Sequence, residues 1–276
     1  MNAPLDNLRR NPLGRVTPNS DRYDAALLFA LPRAPQRDAL GLARGLPFTG
    51  VDIWTAYELT WLDRRGKPAI AIASFEVPCE SPAMVESKSV KRYLGSFAQS
   101  QFDGDEHVRA TIARDIGAAC GAPAIVGLSG ANSGAPAIVP FAGASLDLVP
   151  LSIDCYEVDA RLLAASPPNV AETLTTELFR SQCPVTGQPD YASVQLAYEG
   201  PRIDRAALLR YLVSYRRHPG FHEDCVERIF VDVMGRCGCT SLSVYARFTR
   251  RGGIDINPFR TNAGTARPEN NRTPRQ

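Results

Sequence analysis

The sequence predicts an α+β protein made of two similar modules in tandem, each an antiparallel sheet carrying two helices on one face. Three observations predict it. In each half, β-rich runs around a turn are followed by two runs of helical period and a closing strand. The halves also align without a gap at an offset of 118 residues: Arg92-Tyr93-Leu94 falls on Arg210-Tyr211-Leu212, Ser96-Phe97 on Ser214-Tyr215, Val108 on Val226 and Gly117 on Gly235. Length agrees, because 276 residues suffice for two domains of ordinary size.

The elements follow in order. Residues 1–20 are polar and read as a flexible leader, and Asp24 to Phe29 is a short apolar run before a loop-rich approach over Pro32 to Gly50. Val51 to Leu62 and Pro68 to Val77 are β-rich and flank Asp63-Arg64-Arg65-Gly66, a hairpin signal. Ser89 to Gln101 puts Val90, Tyr93, Leu94 and Phe97 on one helical face, and Glu106 to Cys120 does the same with Val108, Ile112 and Ile116. Ala122 to Leu128 returns as a strand, and Leu146 to Tyr156 supplies a fourth. Between them Gly121 to Val126 (GAPAIV) recurs at Gly134 to Val139, around a small-residue segment, 127–133, that reads as a connector. In the second half, Glu172 to Gln182 and Tyr191 to Tyr198 are strands, Asp204 to Arg216 and His222 to Arg236 helices, and Ser241 to Phe248 the closing strand. The modules are thus 21–145 and 146–262, and the polar segment 263–276 reads as a disordered tail.

Composition excludes several classes. A net charge of +2 gives no nucleic-acid or membrane signal, and no run approaches the roughly 18 apolar residues of a membrane span. With no apolar leader, the expectation is a cytoplasmic protein. Seven scattered cysteines, an odd number, argue against a secreted disulfide framework. Three histidines without a CxxC pair or HExxH give no metal expectation, and Cys237-Gly238-Cys239 reads as two structural thiols at a helix end.

The segment from Phe179 to Asp190 carries the candidate chemistry. It places Cys183 and Asp190 across a Pro/Gly turn, and a thiol is a nucleophile only as thiolate, with a neighbour to steer its proton. The same residues also suit a buried strand-end cysteine and a turn aspartate bonded to its own backbone. What favours chemistry is how the copies differ. Cys183 and Asp190 have no counterpart in the first hairpin, His222-Glu223 falls on Gly104-Asp105, and Glu86-Ser87-Lys88-Ser89 falls on Asp204-Arg205-Ala206-Ala207. One composite site would explain a division that structural duplication does not. Ser87 or Ser89 can equally cap the helix that follows; an anion on that helix N-terminus would relieve the unfavourable position of Lys88. Arg250-Arg251-Gly252-Gly253 is a second anion candidate or a basic surface turn, and Glu223 complements a helix dipole or pairs with a guanine-like edge.

Glu86-Ser87-Lys88-Ser89-Val90-Lys91, the run from Cys183 through Pro184-Val185-Thr186-Gly187-Gln188-Pro189 to Asp190, Phe221-His222-Glu223, and Tyr245 to Pro258 (YARFTRRGGIDINP) occur in one order. In this the chain closely resembles the NADPH-dependent 7-cyano-7-deazaguanine reductases, nitrile reductases of queuosine biosynthesis, in their long two-module form. The resemblance covers about residues 20 to 262, apart from the Gly/Ala-rich connector near 127–146. It implies two tunnelling-fold modules per chain, a homodimer, and reduction of the nitrile of 7-cyano-7-deazaguanine to an aminomethyl group by NADPH, without direct nucleic-acid binding. It implies further that Cys183 forms a covalent thioimide and Asp190 supplies the proton. Val85, Glu86, Ser87, His222 and Glu223 would bind the substrate, and Ser87, Lys88, Arg251 and Gly252 the NADPH. The absence of a GxGxxG fingerprint fits a dinucleotide site without a Rossmann domain. The alternatives are a cyclohydrolase-like tunnelling-fold enzyme on a purine or pterin, and a non-catalytic purine-binding module.

Overall fold

The computed structural model describes residues 20, 22–130, 137–264 and 267–276. The leader up to residue 19 and the middle of the connector, 131–136, lie outside them. The chain forms two compact units: the described residues of 1–43, 52–136 and 250–255 make the first, and those of 44–51, 137–249 and 256–276 the second. The chain therefore passes between units more often than a single cut after residue 145 expects.

The first unit opens on a one-turn 3-10 helix, Ala25–Leu27, whose N-cap Asp24 accepts the Ala26 N–H. Strand β1 (Ala30–Pro32) and helix α1 (Ala34–Ala39), the latter with Pro35 in its first turn, occupy the stretch expected to be loop. Strand β2 (Thr49–Leu62), which begins in the second unit, and β3 (Pro68–Pro78) form the expected hairpin. Its turn is closed by Asp63, which accepts the Arg65 and Lys67 N–H groups, and by Gly66 at φ +77°. After β4 (Ala83–Val85), antiparallel to β1, come helix α2 (Ser87–Gly95), helix α3 (Asp105–Cys120) and strand β5 (Ile125–Gly130). The sheet order is β5-β3-β2, with β5 antiparallel to β3, so Gly127 to Gly130, assigned to the connector, are strand. Helix α3 buries Val108, Ile112, Ile116 and Cys120 at helical spacing and ends at Gly121, left-handed at φ +69°. Trp54 stacks on Phe75, and α2 adds Val90 and Tyr93 to the core. Each such side chain, fully buried, is worth about 1.5–3 kcal/mol.

The second unit opens in the same way, on the 3-10 turn Ala160–Leu162 capped by Asp159. Asp24-Ala25 and Asp159-Ala160, each followed by a pair of leucines two residues on, are a repeat signal at an offset of 135, outside the alignment at 118. The sheet is formed by β6 (Ala144–Ser145), β7 (Ala165–Gln182), β8 (Pro189–Ile203), β9 (Ser241–Phe248) and β10 (Ile254–Thr261), in the order β10-β9-β8-β7-β6; the first two residues of β10 lie in the first unit. Helices α4 (Arg205–Ser214) and α5 (His222–Cys237) lie between β8 and β9 in sequence, and α5 packs on β7, β8 and β9. Each unit thus carries the antiparallel pairing and two helices expected of a tunnelling-fold module.

Three expectations need correction. Leu146 to Tyr156 is not a strand: Leu148 is 91% exposed, and Asp147 acts through its side chain, accepting from Thr176 Oγ1 at 2.6 Å and Glu177 N at 3.0 Å where β7 bulges. Residues 267–276 are packed rather than disordered. Gln276 accepts from Arg247 Nε at 2.6 Å and donates to Asn257 Oδ1 at 2.8 Å, because a buried guanidinium needs several acceptors and the polar tail adds to the one that Tyr245 supplies. Finally, the offset of 118 holds through the first helix pair, where the Ser96 and Ser214 hydroxyls bond the Tyr93 and Tyr211 carbonyls, but α3 and α5 correspond at 117. Asp115 and Asp232 then match, each accepting a phenol O–H, from Tyr93 at 2.8 Å and Tyr211 at 2.6 Å. Glu223 consequently lies opposite Glu106, not Asp105.

Candidate active site

The candidate residues divide between the units. Cys183, Asp190, His222 and Glu223 belong to the second, and Val85, Glu86, Ser87, Lys88, Arg251 and Gly252 to the first.

In the second unit the β7–β8 hairpin builds the reactive centre. The Cys183 N–H donates to the Gln188 carbonyl at 2.9 Å, and Gly187, at φ +67°, donates to the Cys183 carbonyl at 2.8 Å. The left-handed turn suits glycine and holds the thiol at the strand end, half-buried. Asp190 is the cross-strand partner of Ser181 and is 3% exposed. The loop 218–220 runs along this strand end: Gln182 N donates to His218 O, and Gly220 N donates to Gln182 O. It delivers His222 at the start of α5, where Nε2 comes within 3.9 Å of Asp190 Oδ1. The imidazole is fixed from the other side by Phe248, edge to face with ring centres 3.9 Å apart. Glu223, buried in the first turn of α5, is favoured there by the helix dipole. The structure therefore brings Asp190 and His222 together by contact, with Cys183 at the end of the same hairpin and Glu223 adjacent to His222.

Cys225, one turn into α5, was not foreseen. It is fully buried beside Gly220, where a Cβ would stand 3.0 Å from its sulfur. Burial pushes this thiol far up and the carboxylates of Asp224, Asp190 and Glu223 add to that, so it stays protonated while Cys183 alone stands at the strand end. His218 is pressed down to about 4, by burial first and the Arg228 charge second, and is neutral.

In the first unit the β4–α2 junction behaves differently from the expectation. The cap of α2 is neither Ser87 nor Ser89 but Glu86, whose Oε2 accepts the Ser89 N–H at 2.8 Å. Its counterpart Asp204 accepts the Ala207 N–H at 2.8 Å. Val85 is tied into β4, and Lys88 and Lys91 follow on α2. The glycine turn meets this helix: a Cβ on Gly252, itself at φ +60°, would lie 3.1 Å from Lys91 Cδ. Gly253, at φ +76°, packs its α-carbon on Glu58, and Arg250 stacks over Tyr57 at 4.7 Å. Lys91 stands against a side-chain-free turn that carries Arg251, and Lys88 lies one turn before it on α2, cationic donor types that suit a phosphate-bearing ligand. Lys91 belongs to this cluster; its spacing one turn after Lys88 was the available signal.

A thiol and a buried carboxylate on one hairpin, with a cationic glycine cradle, on a duplicated α+β scaffold, define the class as an enzyme. Residues 19–128 match the family described as nitrile reductase, 7-cyano-7-deazaguanine-reductase N-term, and residues 189–267 match the QueF-like protein family. The chain is 55% identical over 273 residues to the NADPH-dependent 7-cyano-7-deazaguanine reductase of Burkholderia vietnamiensis, covering 98% of this chain and 100% of that one. It is also 55% identical, over 275 residues and with the same coverage, to the protein of that name from Burkholderia orbicola. The chain belongs to the 7-cyano-7-deazaguanine reductase family.

Proposed function

We propose that this protein reduces the nitrile of 7-cyano-7-deazaguanine to an aminomethyl group with NADPH, as a step of tRNA queuosine biosynthesis. The observation that carries the reading is the presence on one hairpin of a strand-end thiol, Cys183, and a buried carboxylate, Asp190, in a chain of this family. A nitrile accepts hydride poorly, whereas a protonated thioimide accepts it well, so a nucleophile and an acid are both needed. Cys183 adds as thiolate to the nitrile carbon, and Asp190 gives the nitrile nitrogen its proton. NADPH, when bound, would supply one hydride, so the change from nitrile to primary amine requires two NADPH in succession. Cys183 holds the carbon until the first reduction and leaves with the C–S bonding pair before the second.

Glu223 and Glu86 take the N–H donors of the purine-like edge in this reading, with Val85, Ser87 and His222 beside them. For Glu86 the structure adds a competing demand, since one of its oxygens caps α2. Ser87, Lys88, Arg251 and Gly252 hold the NADPH, as guanidinium and ammonium groups suit its phosphates. The active species is a homodimer in the cytoplasm. Among the described residues no helix is long and apolar enough to cross a membrane.

The test is to mix protein, 7-cyano-7-deazaguanine and NADPH and follow the nicotinamide absorbance; no substrate-dependent oxidation ends the reading. With substrate alone, the wild type should gain the mass of a covalent adduct and Cys183→Ala should not.

A further inference from the structure

The Ser181 side chain is wholly buried, and its hydroxyl has no oxygen or nitrogen hydrogen-bond partner among the described residues. Nearly all buried hydroxyls are bonded, because leaving one unpaired forfeits its hydration without return. The Cys225 thiol is close enough for this hydroxyl to oppose the upward push of burial on it, but sulfur is a weak acceptor and does not replace a full bond. The position is specific. Ser181 is paired directly with Asp190 across β7 and β8, which puts both side chains on one face of the hairpin, and it precedes Cys183 by one pleat period. His222 approaches the same carboxyl group from α5 at 3.9 Å.

We infer that Ser181 is a positioning residue for Asp190, an inference that rests on the reductase reading above. As the bond from Cys183 sulfur to the nitrile carbon forms, one π bond of the nitrile shifts to nitrogen, which takes the Asp190 proton. The O–H bonding pair stays on Asp190, leaving a carboxylate that is almost cut off from water. Ser181 keeps its own proton and turns its O–H onto that carboxylate, so the hydroxyl unpaired before reaction is paired when the charge appears. A donor engaged only after charge develops favours the step without tightening substrate binding.

The experiment compares wild type, Ser181→Ala and Ser181→Thr, with adduct formation from 7-cyano-7-deazaguanine alone, kcat and KM with NADPH, and Tm as readouts. Ser181→Ala should form the adduct about tenfold or more slowly, the size expected for losing a hydrogen bond to a charged group, and lower kcat with KM for 7-cyano-7-deazaguanine unchanged. Its Tm should equal or exceed that of the wild type, because the deleted hydroxyl gives up only a weak contact with the Cys225 sulfur. Ser181→Thr, which restores a hydroxyl, should recover most of the rate. An active wild type with an equally active Ser181→Ala overturns the inference and leaves the reductase reading standing; so does a Ser181→Ala protein of lowered Tm, which would make the hydroxyl structural. A wild type that forms no adduct and oxidises no NADPH instead removes the reading beneath it.

Discussion

Asp190 Oδ1 lies 3.9 Å from His222 Nε2, so a strand-borne carboxyl group and a helix-opening imidazole meet although 32 residues separate them. Asp190→Asn keeps the shape and removes the acid. It should bind 7-cyano-7-deazaguanine with near-wild-type affinity in calorimetry yet lose about 10²- to 10⁴-fold in turnover. Turnover at the wild-type rate would rule out the acid role.

Thiol reactivity should divide by burial. Cys183 and Cys155 are half-buried, whereas Cys79, Cys120, Cys225, Cys237 and Cys239 are buried. Burial raises Cys237 to about 12 and Cys239 to about 11, leaving them protonated at neutral pH. Brief alkylation of the native protein followed by peptide mass mapping should modify only the first two. Prior incubation with substrate should protect Cys183 but not Cys155.

The two glycines of the cradle should fail in different ways. A Cβ on Gly253 would stand 2.6 Å from the Glu58 carboxyl carbon at a φ of +76°, so Gly253→Ala should lower stability by about 1–3 kcal/mol, visible as a reduced Tm. Gly252→Ala meets only the flexible Lys91 side chain, with φ at +60°. It should cost less stability and act mainly by raising KM for NADPH, which steady-state kinetics will read.

His218 makes stability depend on pH. Its folded pKa, about 4, lies below the ordinary 6.5, so between these values the unfolded chain holds a proton that the folded chain does not. The stabilising contribution is therefore complete above about 6.5 and is lost as pH falls toward 4. Melting curves across that window should show a falling Tm, and His218→Gln should flatten the part of the fall that this side chain causes.

Much of the architecture was legible because periodicity reports burial: the apolar positions of α3 and α5 and the Asp63–Gly66 turn are local signals with one physical meaning. Signals that depend on partners were not legible. GAPAIV shows this, since Ile125 and Val126 of the first copy pair with β3, while Ile138 and Val139 of the second lie along Arg272. The same residues become ladder strand in one place and a lone bridge in another because β propensity is decided by what lies alongside. The tail was misjudged for the same reason, as composition cannot tell that Gln276 completes a buried network around Arg247.

By itself the sequence determined the duplication, the order of elements and the residue types able to do the chemistry, since these follow from period, spacing and intrinsic reactivity. Only the tertiary structure decided which of them meet. It made Glu86 a helix cap, placed Lys91 against Gly252, set Ser181 facing Asp190, and buried Cys225 while leaving Cys183 at a strand end. Contacts between residues far apart in the chain arise from packing and strand register, which no local stretch of sequence specifies.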